Sequence, residues 1–327
     1  MTTTGRIIVV VVAAAGLIAL TMIGLHYLRP PEELPGAGPA VEVPTPAAAG
    51  APGAAPAAGT GPAHPEPAGG SPAAPAGNPA GAASAPAGPG EAAADDGLAL
   101  AASGHIVQAQ GRLSQALRAG VDGPKGKAVR ETLAALADRA QLSGARLADD
   151  PYSKTYEVAR GDSVTRIGAK FLIPNELVMK LNGLASPGIN AGQALKVIQG
   201  PVNVEIFKGR YELQAWLGDV CIRVYRVALG KGNTTPEGAF VVKSKIKNPP
   251  YQPQHKARSE HRESGAPDNP LGTRWIDIGN HYGIHGTIDP TSIGHDVSEG
   301  CIRLNNKDVE ELFDMVVPGA AKVTVRP

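Results

Sequence analysis

Hydrophobic positions along this chain change period several times, and each change predicts a different element. Ile7 to Leu28 is almost continuously apolar, with no charge between Arg6 and Arg29. About 20 such residues span a hydrocarbon core, so residues 1–29 read as a signal anchor with a transmembrane helix. A cleaved signal peptide is the alternative, but His26-Tyr27-Leu28-Arg29-Pro30 makes a poor cleavage site. Residues 30–97 are Ala, Pro and Gly with little else. Nothing there can offset the entropy of ordering, which predicts a disordered linker. A tether of that length spans about 45 Å as a random coil and about 200 Å fully extended. In residues 98–150, Ile106, Ala109, Leu113, Ala116 and Leu117 recur at helical spacing, as do Val129, Leu133, Leu136 and Ala140. Gly120-Val121-Asp122-Gly123-Pro124 breaks the two runs. The pattern predicts an antiparallel helical pair, either a spacer or packing module or a partner-binding surface.

Residues 155–198 read as strand, helix, helix, strand. Tyr156 and Val158 alternate with polar residues. Asp162 or Ser163 can cap a helix whose apolar side is Val164, Ile167, Ala169 and Phe171. A second helix follows Pro174, and Gly192 to Ile198 closes as a strand. Residues 201–327 are strand-rich. Runs at Val202–Ile206, Tyr211–Leu217, Cys221–Leu229, Pro236–Val242, Trp275–Ile278 and Tyr282–His285 are separated by turn residues. A polar, Pro-rich loop occupies 248–270. A helix over Asn306–Met315 is stopped by Pro318-Gly319. These features predict a mainly β domain.

Composition narrows the partners. Of 327 residues, 41 are Gly and 30 are Pro, most of that excess before residue 97. About 230 residues remain to fold, enough for one sizeable core and a small module. The net charge is +1 and 4% of residues are aromatic, so no nucleic-acid partner is expected. Arg6 and Arg29 give almost no charge bias for membrane orientation.

The candidate chemistry lies in Ile284-His285-Gly286 and Ser298-Glu299-Gly300-Cys301-Ile302-Arg303. A thiol of pKa about 8.5 is mostly protonated at neutral pH. A neighbouring imidazole can take its proton and later return it to a leaving group. Gly300 admits a close backbone approach, and N–H groups of Gly300 and Cys301 could hold an oxyanion. Arg303 can favour the thiolate or bind a carboxylate. Three rival readings exist. Cys221 and Cys301 could form a disulfide, although Cys221 suits a small buried apolar role in its strand. His281, His285, His295 and Cys301 could ligate a metal, but residues four apart in a strand lie about 13 Å apart. Cys301 and His285 could simply be buried. No metal and no cofactor are expected.

Residues 155–198 resemble a LysM domain, on Tyr156-x-Val158, Gly161-Asp162-Ser163, Ile167, Leu181-Asn182 and Ile189-x-x-Gly192-Gln193-x-Leu195. The resemblance implies a groove for N-acetylglucosamine-containing glycans, with Gly161, Asp162 and Ser163 on one side and Ile189 on the other. Turn and cap chemistry would place the same residues there in any case. Residues 201–327 resemble the L,D-transpeptidase catalytic domain, also called YkuD. The carriers are His285-Gly286, Ser298-x-Gly300-Cys301-Ile302-Arg303, Thr235-Pro236-x-Gly238-x-Phe240, Asn269-Pro270-Leu271-Gly272 and Ser292-Ile293-Gly294. This implies a mixed β-sandwich in which Cys301 attacks the third residue of a peptidoglycan stem, expels D-alanine and forms a thioester. His285 is then base and acid, with the Gly286 carbonyl orienting it. Gly286, Ser298, Gly300 and Arg303 complete the implied site. Many members carry His where this chain has Glu299, and a carboxylate there raises a thiol pKa.

The expected chain is thus multidomain: an anchor, a linker, a helical pair, a small βααβ LysM module and a mainly β catalytic domain. Its partners are peptidoglycan stem peptides, glycan strands and, through residues 7–28, the cytoplasmic membrane. The catalytic domain faces the periplasm or cell wall. The expected product is a 3→3 cross-link. A hydrolase (L,D-carboxypeptidase) on the same scaffold is one alternative, and a non-catalytic wall anchor is another.

Overall fold

The computed structural model describes residues 88–253 and 257–327. The stretch read as an anchor and most of the expected linker lie outside them. None of the described helices is long and apolar enough to cross a membrane.

The predicted helical pair is present as α2 (Ile106–Arg118) and α3 (Gly123–Arg139), but a third helix precedes it. This is α1 (Pro89–Ala102), which starts inside the segment expected to be linker. Pro89 presets the first turn, where no N–H is needed, and Glu91 lies in that turn. The packing of α1 uses small residues: Gly90, Ala94 and Gly97 are its buried positions. A Cβ on Gly97 would sit 2.6 Å from Leu113 Cγ. The glycine that suggests a linker therefore lets α1 press against α2. Gly97→Val should cost about 1–3 kcal/mol through overpacking, read as a lower urea midpoint. An unchanged midpoint would mean that α1 does not share the core.

The helices pack onto the catalytic sheet. Leu113, Leu117, Val129 and Leu133 share a core with Trp216 and Cys221. The Arg118 guanidinium lies 3.8 Å above the Trp216 ring, and Ser114 Oγ accepts from the Cys221 N–H at 3.0 Å. Those two core residues belong to β4 (Glu212–Leu217) and β5 (Val220–Arg226), and every position of β4 is buried. Arg223, on β5, reaches Asp138 on α3 and Glu311 at 2.8 Å.

The βααβ module consists of β1 (Ser153–Glu157), α4 (Val164–Phe171), α5 (Asn175–Leu181) and β2 (Ala194–Ile198). Its strands are antiparallel, with Ser153 opposite Ile198. Ser163 caps α4 by accepting from the Arg166 N–H at 3.2 Å. The module is fastened to the helices by Lys196. This lysine is 1% exposed, and its ammonium donates to the carbonyls of Ala140, Ser143 and Ala145, just past the end of α3. Burial draws its pKa down, and the three carbonyls supply the partners that a buried ammonium requires. Tyr152 ties the module to the β4–β5 turn, its hydroxyl accepting from the Asp219 N–H at 3.0 Å.

The remaining strands are β3 (Val202–Phe207), β6 (Leu229–Gly230), β7 (Gly238–Val241), β8 (Ser244–Lys247), β9 (Arg274–Gly279), β10 (Tyr282–His285), β11 (Asp296–Ser298), β12 (Ile302–Arg303) and β13 (Lys322–Arg326). Of the two larger sheets, one runs β5-β4-β3-β13-β7 and the other β12-β10-β9-β8, while β11 pairs with β6. Both contain a parallel pair, β13 with β3 and β10 with β12, so the sheets are mixed. Val204, Val323, Ile284 and Ile302 belong to one core. The late helix, α6, spans Asn306–Phe313, two residues shorter than expected, within the usual fraying of helix ends.

Candidate active site

Strand register places the chemistry. β10 lies between β12 and β9. It sets Ile284 beside Ile302 and His285 beside Arg303 on one side. On the other it sets Ile284 beside Ile276, His285 beside Trp275 and Gly283 beside Asp277. Side chains alternate between faces. Ile276, Ile284 and Ile302 are fully buried on one face. The opposite face therefore carries the row Arg303, His285, Trp275. Cys301, one residue before β12, extends that register to the level of Gly283. Its Cα is then about 8 Å diagonally from that of His285, a gap that a thiol and an imidazole can bridge.

The imidazole is held through its Nδ1. His285 Nδ1 lies 2.7 Å from the Gly286 carbonyl oxygen. A carbonyl only accepts, so Nδ1 carries the proton and Nε2 is the basic nitrogen. Burial draws the His285 pKa down to about 4; the Arg303 charge adds to this, and the carbonyls of Gly286 and Leu271 oppose it. Burial pushes the Cys301 thiol up, aided by the Glu299 charge and opposed by the Gly283 N–H and Arg303. Both surroundings thus favour the neutral forms of thiol and imidazole.

Ser298 and Thr235 shape the loop before Cys301. Ser298 Oγ donates to the Cys301 carbonyl at 2.6 Å and accepts from the Gly300 N–H at 3.1 Å. Thr235 Oγ1 donates to the Gly300 carbonyl at 3.0 Å and accepts from the Gly230 N–H at 2.8 Å. The expectation that the Gly300 N–H could hold an oxyanion is corrected, because Ser298 occupies that donor. Gly300 serves sterically instead. Its φ is 132°, and a Cβ there would lie 2.6 Å from the Tyr282 ring.

Residues outside the sequence motifs also meet here. Asn306 Oδ1 accepts from the Thr273 N–H at 3.2 Å, and a Cβ on Gly286 would come within 2.1 Å of it. The first residue of α6 thus packs against the turn after His285. Trp275 stacks on His285, centroids 5.7 Å apart. Neither contact has a sequence signal, since both depend on pairing between distant segments. Thr235 had one, in its Thr-Pro-x-Gly setting. Among the described residues, the buried side-chain atoms without a hydrogen-bond partner are Thr273 Oγ1, Arg274 Nε and Arg303 Nε. Of these, Arg303 shares the His285 face, whereas Arg274 lies on the face of Ile276 and reaches Glu310 at 3.7 Å.

Residues 202–325 match the model of the L,D-transpeptidase catalytic domain, YkuD, and residues 156–197 that of the LysM domain. YkuD of Bacillus subtilis is 34% identical over 180 residues, which cover 52% of this chain and 98% of that protein. The chain belongs to the L,D-transpeptidase family. YqjB of Bacillus subtilis is 42% identical over 37% of this chain and 70% of its own length. ErfK/SrfK of Escherichia coli is 38% identical over 30% of this chain and 35% of its own. The NMR structure of the catalytic domain from E. faecium L,D-transpeptidase covers 38% of this chain and 96% of that chain, at 21% identity and a TM-score of 0.31.

The other candidate residues of this transpeptidase lie on other elements. In the LysM module, Asp162 accepts from the Tyr156 hydroxyl at 2.7 Å and the Ala159 N–H at 2.9 Å. The Tyr156 bond is the main cause of its lowered pKa. Gly161 has φ 87°, and Ile189 packs partly buried against the core. The two loops start side by side, joined by Val158–Gln193 and Gly192–Val158 backbone bonds of 2.9 and 2.8 Å. His281 lies in the β9–β10 turn with φ 64°, at the opposite end of β10 from His285. Cys221 and Cys301 are both free. Cys221 is fully buried under the helices, and burial pushes its pKa up.

Proposed function

We propose that this peptidoglycan L,D-transpeptidase works through Cys301, with His285 as general base and then general acid, and joins stem peptides by 3→3 cross-links. The supporting observation is the shared face of His285 and Cys301, with Nδ1 held by the Gly286 carbonyl. Nε2 takes the thiol proton as sulfur attacks the carbonyl carbon of the third stem residue. The tetrahedral adduct collapses, the bond to D-alanine breaks, and the imidazolium returns its proton to the departing amine. An amine of a second stem attacks the thioester and gives its proton to Nε2. Sulfur leaves and takes that proton back. Because burial favours the uncharged thiol and imidazole, charge separation is best supported as sulfur attacks. Ser298 and Gly300 fix the loop that carries Cys301, and Arg303 offers its cation to a substrate carboxylate.

The LysM module binds the glycan through Gly161, Asp162, Ser163 and Ile189. Residues 7–28 anchor the chain in the cytoplasmic membrane, with the catalytic domain in the periplasm or cell wall. The test is mass spectrometry of tetrapeptide-stem muropeptides incubated with the full chain. Dimers linked between third residues are expected. Tripeptide monomers alone would mean hydrolysis, and an unchanged mixture would overturn the enzymatic reading.

A further inference from the structure

Trp275 has no part in the mechanism above, yet its side chain lies against two residues of that face. It is directly opposite His285 on the neighbouring antiparallel strand. The two rings are 5.7 Å apart between centroids and inclined by 23°, a stacked arrangement. The indole then reaches diagonally over Gly283. A Cβ built on Gly283 would lie 2.5 Å from both Cζ2 and Cη2 of Trp275. Gly283 does not have a positive φ, so its backbone would accept alanine, and the indole is what excludes a side chain there. Gly283 sits at the level of Cys301, across the parallel pairing of β10 with β12. The indole thus covers the bare Gly283 position beside the thiol while its face lies along the imidazole. The carbonyls of Gly286 and Leu271 hold the ring at its edge and leave its face unsupported. A flat surface across the strand supplies that support. It also keeps water from a ring that is 3% exposed, although Trp275 itself is only half-buried.

We infer that Trp275 is a positioning residue for the transfer reaction, holding the His285 ring in line with Cys301 and dry, and that Gly283 is glycine to make room for it. This rests on His285 being the base. The charged groups around the imidazole come from two strands: Arg303 from β12 and, on β9, Arg274 next to Trp275 and Asp277 in the next row. Arg303 is the one that shifts His285, and none of the three is altered by the variants below.

The experiment measures kcat, KM and the pH dependence of kcat/KM for the full chain and four variants, on a tetrapeptide stem with an amine acceptor. Trp275→Ala should lower kcat by roughly 10–100-fold with KM little changed, the size expected when a reacting group is misplaced by about 1 Å. Its acid limb should move up from about 4 towards the ordinary imidazole value of about 6.5 as water reaches the ring. Gly283→Ala keeps the indole but displaces it, and should reproduce both changes. Trp275→Phe restores a stacking ring and should return the limb to its wild-type position. An acid limb that stays put in folded Trp275→Ala and Gly283→Ala overturns the inference. If Trp275→Ala does not fold, Gly283→Ala against Trp275→Phe decides. His285→Gln separates the two readings. Full activity in that variant sinks the base assignment itself, whereas its loss beside unshifted Trp275 and Gly283 variants sinks only the positioning role.

Discussion

Cys301→Ala should abolish cross-linking and covalent labelling by a carbapenem together. The methyl group cannot form an acyl bond, so the expected fall is about 10³-fold or more, as when other acyl-transfer nucleophiles are removed. Folding should survive. Cys301 forms no disulfide, and the loop around it is held by Ser298 and Thr235 acting on backbone atoms. Cys221→Ala is the matched control. It removes a thiol that is fully buried beneath the helices, so it should affect stability and leave labelling intact. Labelling of the Cys301→Ala chain at the wild-type rate, seen as an unchanged mass shift, would sink the mechanism.

His285→Ala should slow acylation by roughly 10²–10⁴-fold, the usual contribution of a positioned general base, read as the rate of thioester or carbapenem adduct formation. The pH behaviour adds a second test. Burial raises the Cys301 pKa, so iodoacetamide should modify it slowly at neutral pH and faster as pH rises beyond the ordinary thiol range. A thiolate–imidazolium pair would react fast at neutral pH instead. Stability carries the other sign. The folded His285 has a pKa of about 4 against about 6.5 when unfolded. Above pH 6.5 both states are neutral and the group contributes no slope. As pH falls from there towards 4, the unfolded chain takes a proton that the fold refuses, and stability declines. His285→Ala should lose that part of the acid sensitivity in urea titrations.

What could be read from the sequence was what lies close together along it. Tyr282–His285 alternates and forms a strand, and the Ser298-to-Arg303 segment spans a short loop and a strand end. Their shared face needs only the rule of alternation once β10 and β12 are paired, but the pairing itself spans distant residues. Trp275 read only as a strand residue because its contact with His285 is made across strands. The α1 helix escaped for a different reason. Gly90, Ala94 and Gly97 are its buried face; glycine weakens a helix, and such small residues give no apolar period. The Gly300 N–H looked like an oxyanion donor because its bond to Ser298 is a matter of loop shape. Lys196 gave no signal at all, since a lone lysine in a strand is usually solvated and its three carbonyl partners lie some 50 residues earlier.

That lysine bears on how the enzyme would meet its polymer. A glycan-binding module on a loose tether raises local concentration and lets the active site sample many stems. Here the ammonium is plugged into the chain just past the end of a helix that also packs on the catalytic sheet, which couples the two parts. A strand gripped by the module would then reach Cys301 at one offset, as a jig sets the distance between clamp and tool. On that geometry the spacing of stems along the glycan, as well as their number nearby, would bear on which of them reaches Cys301.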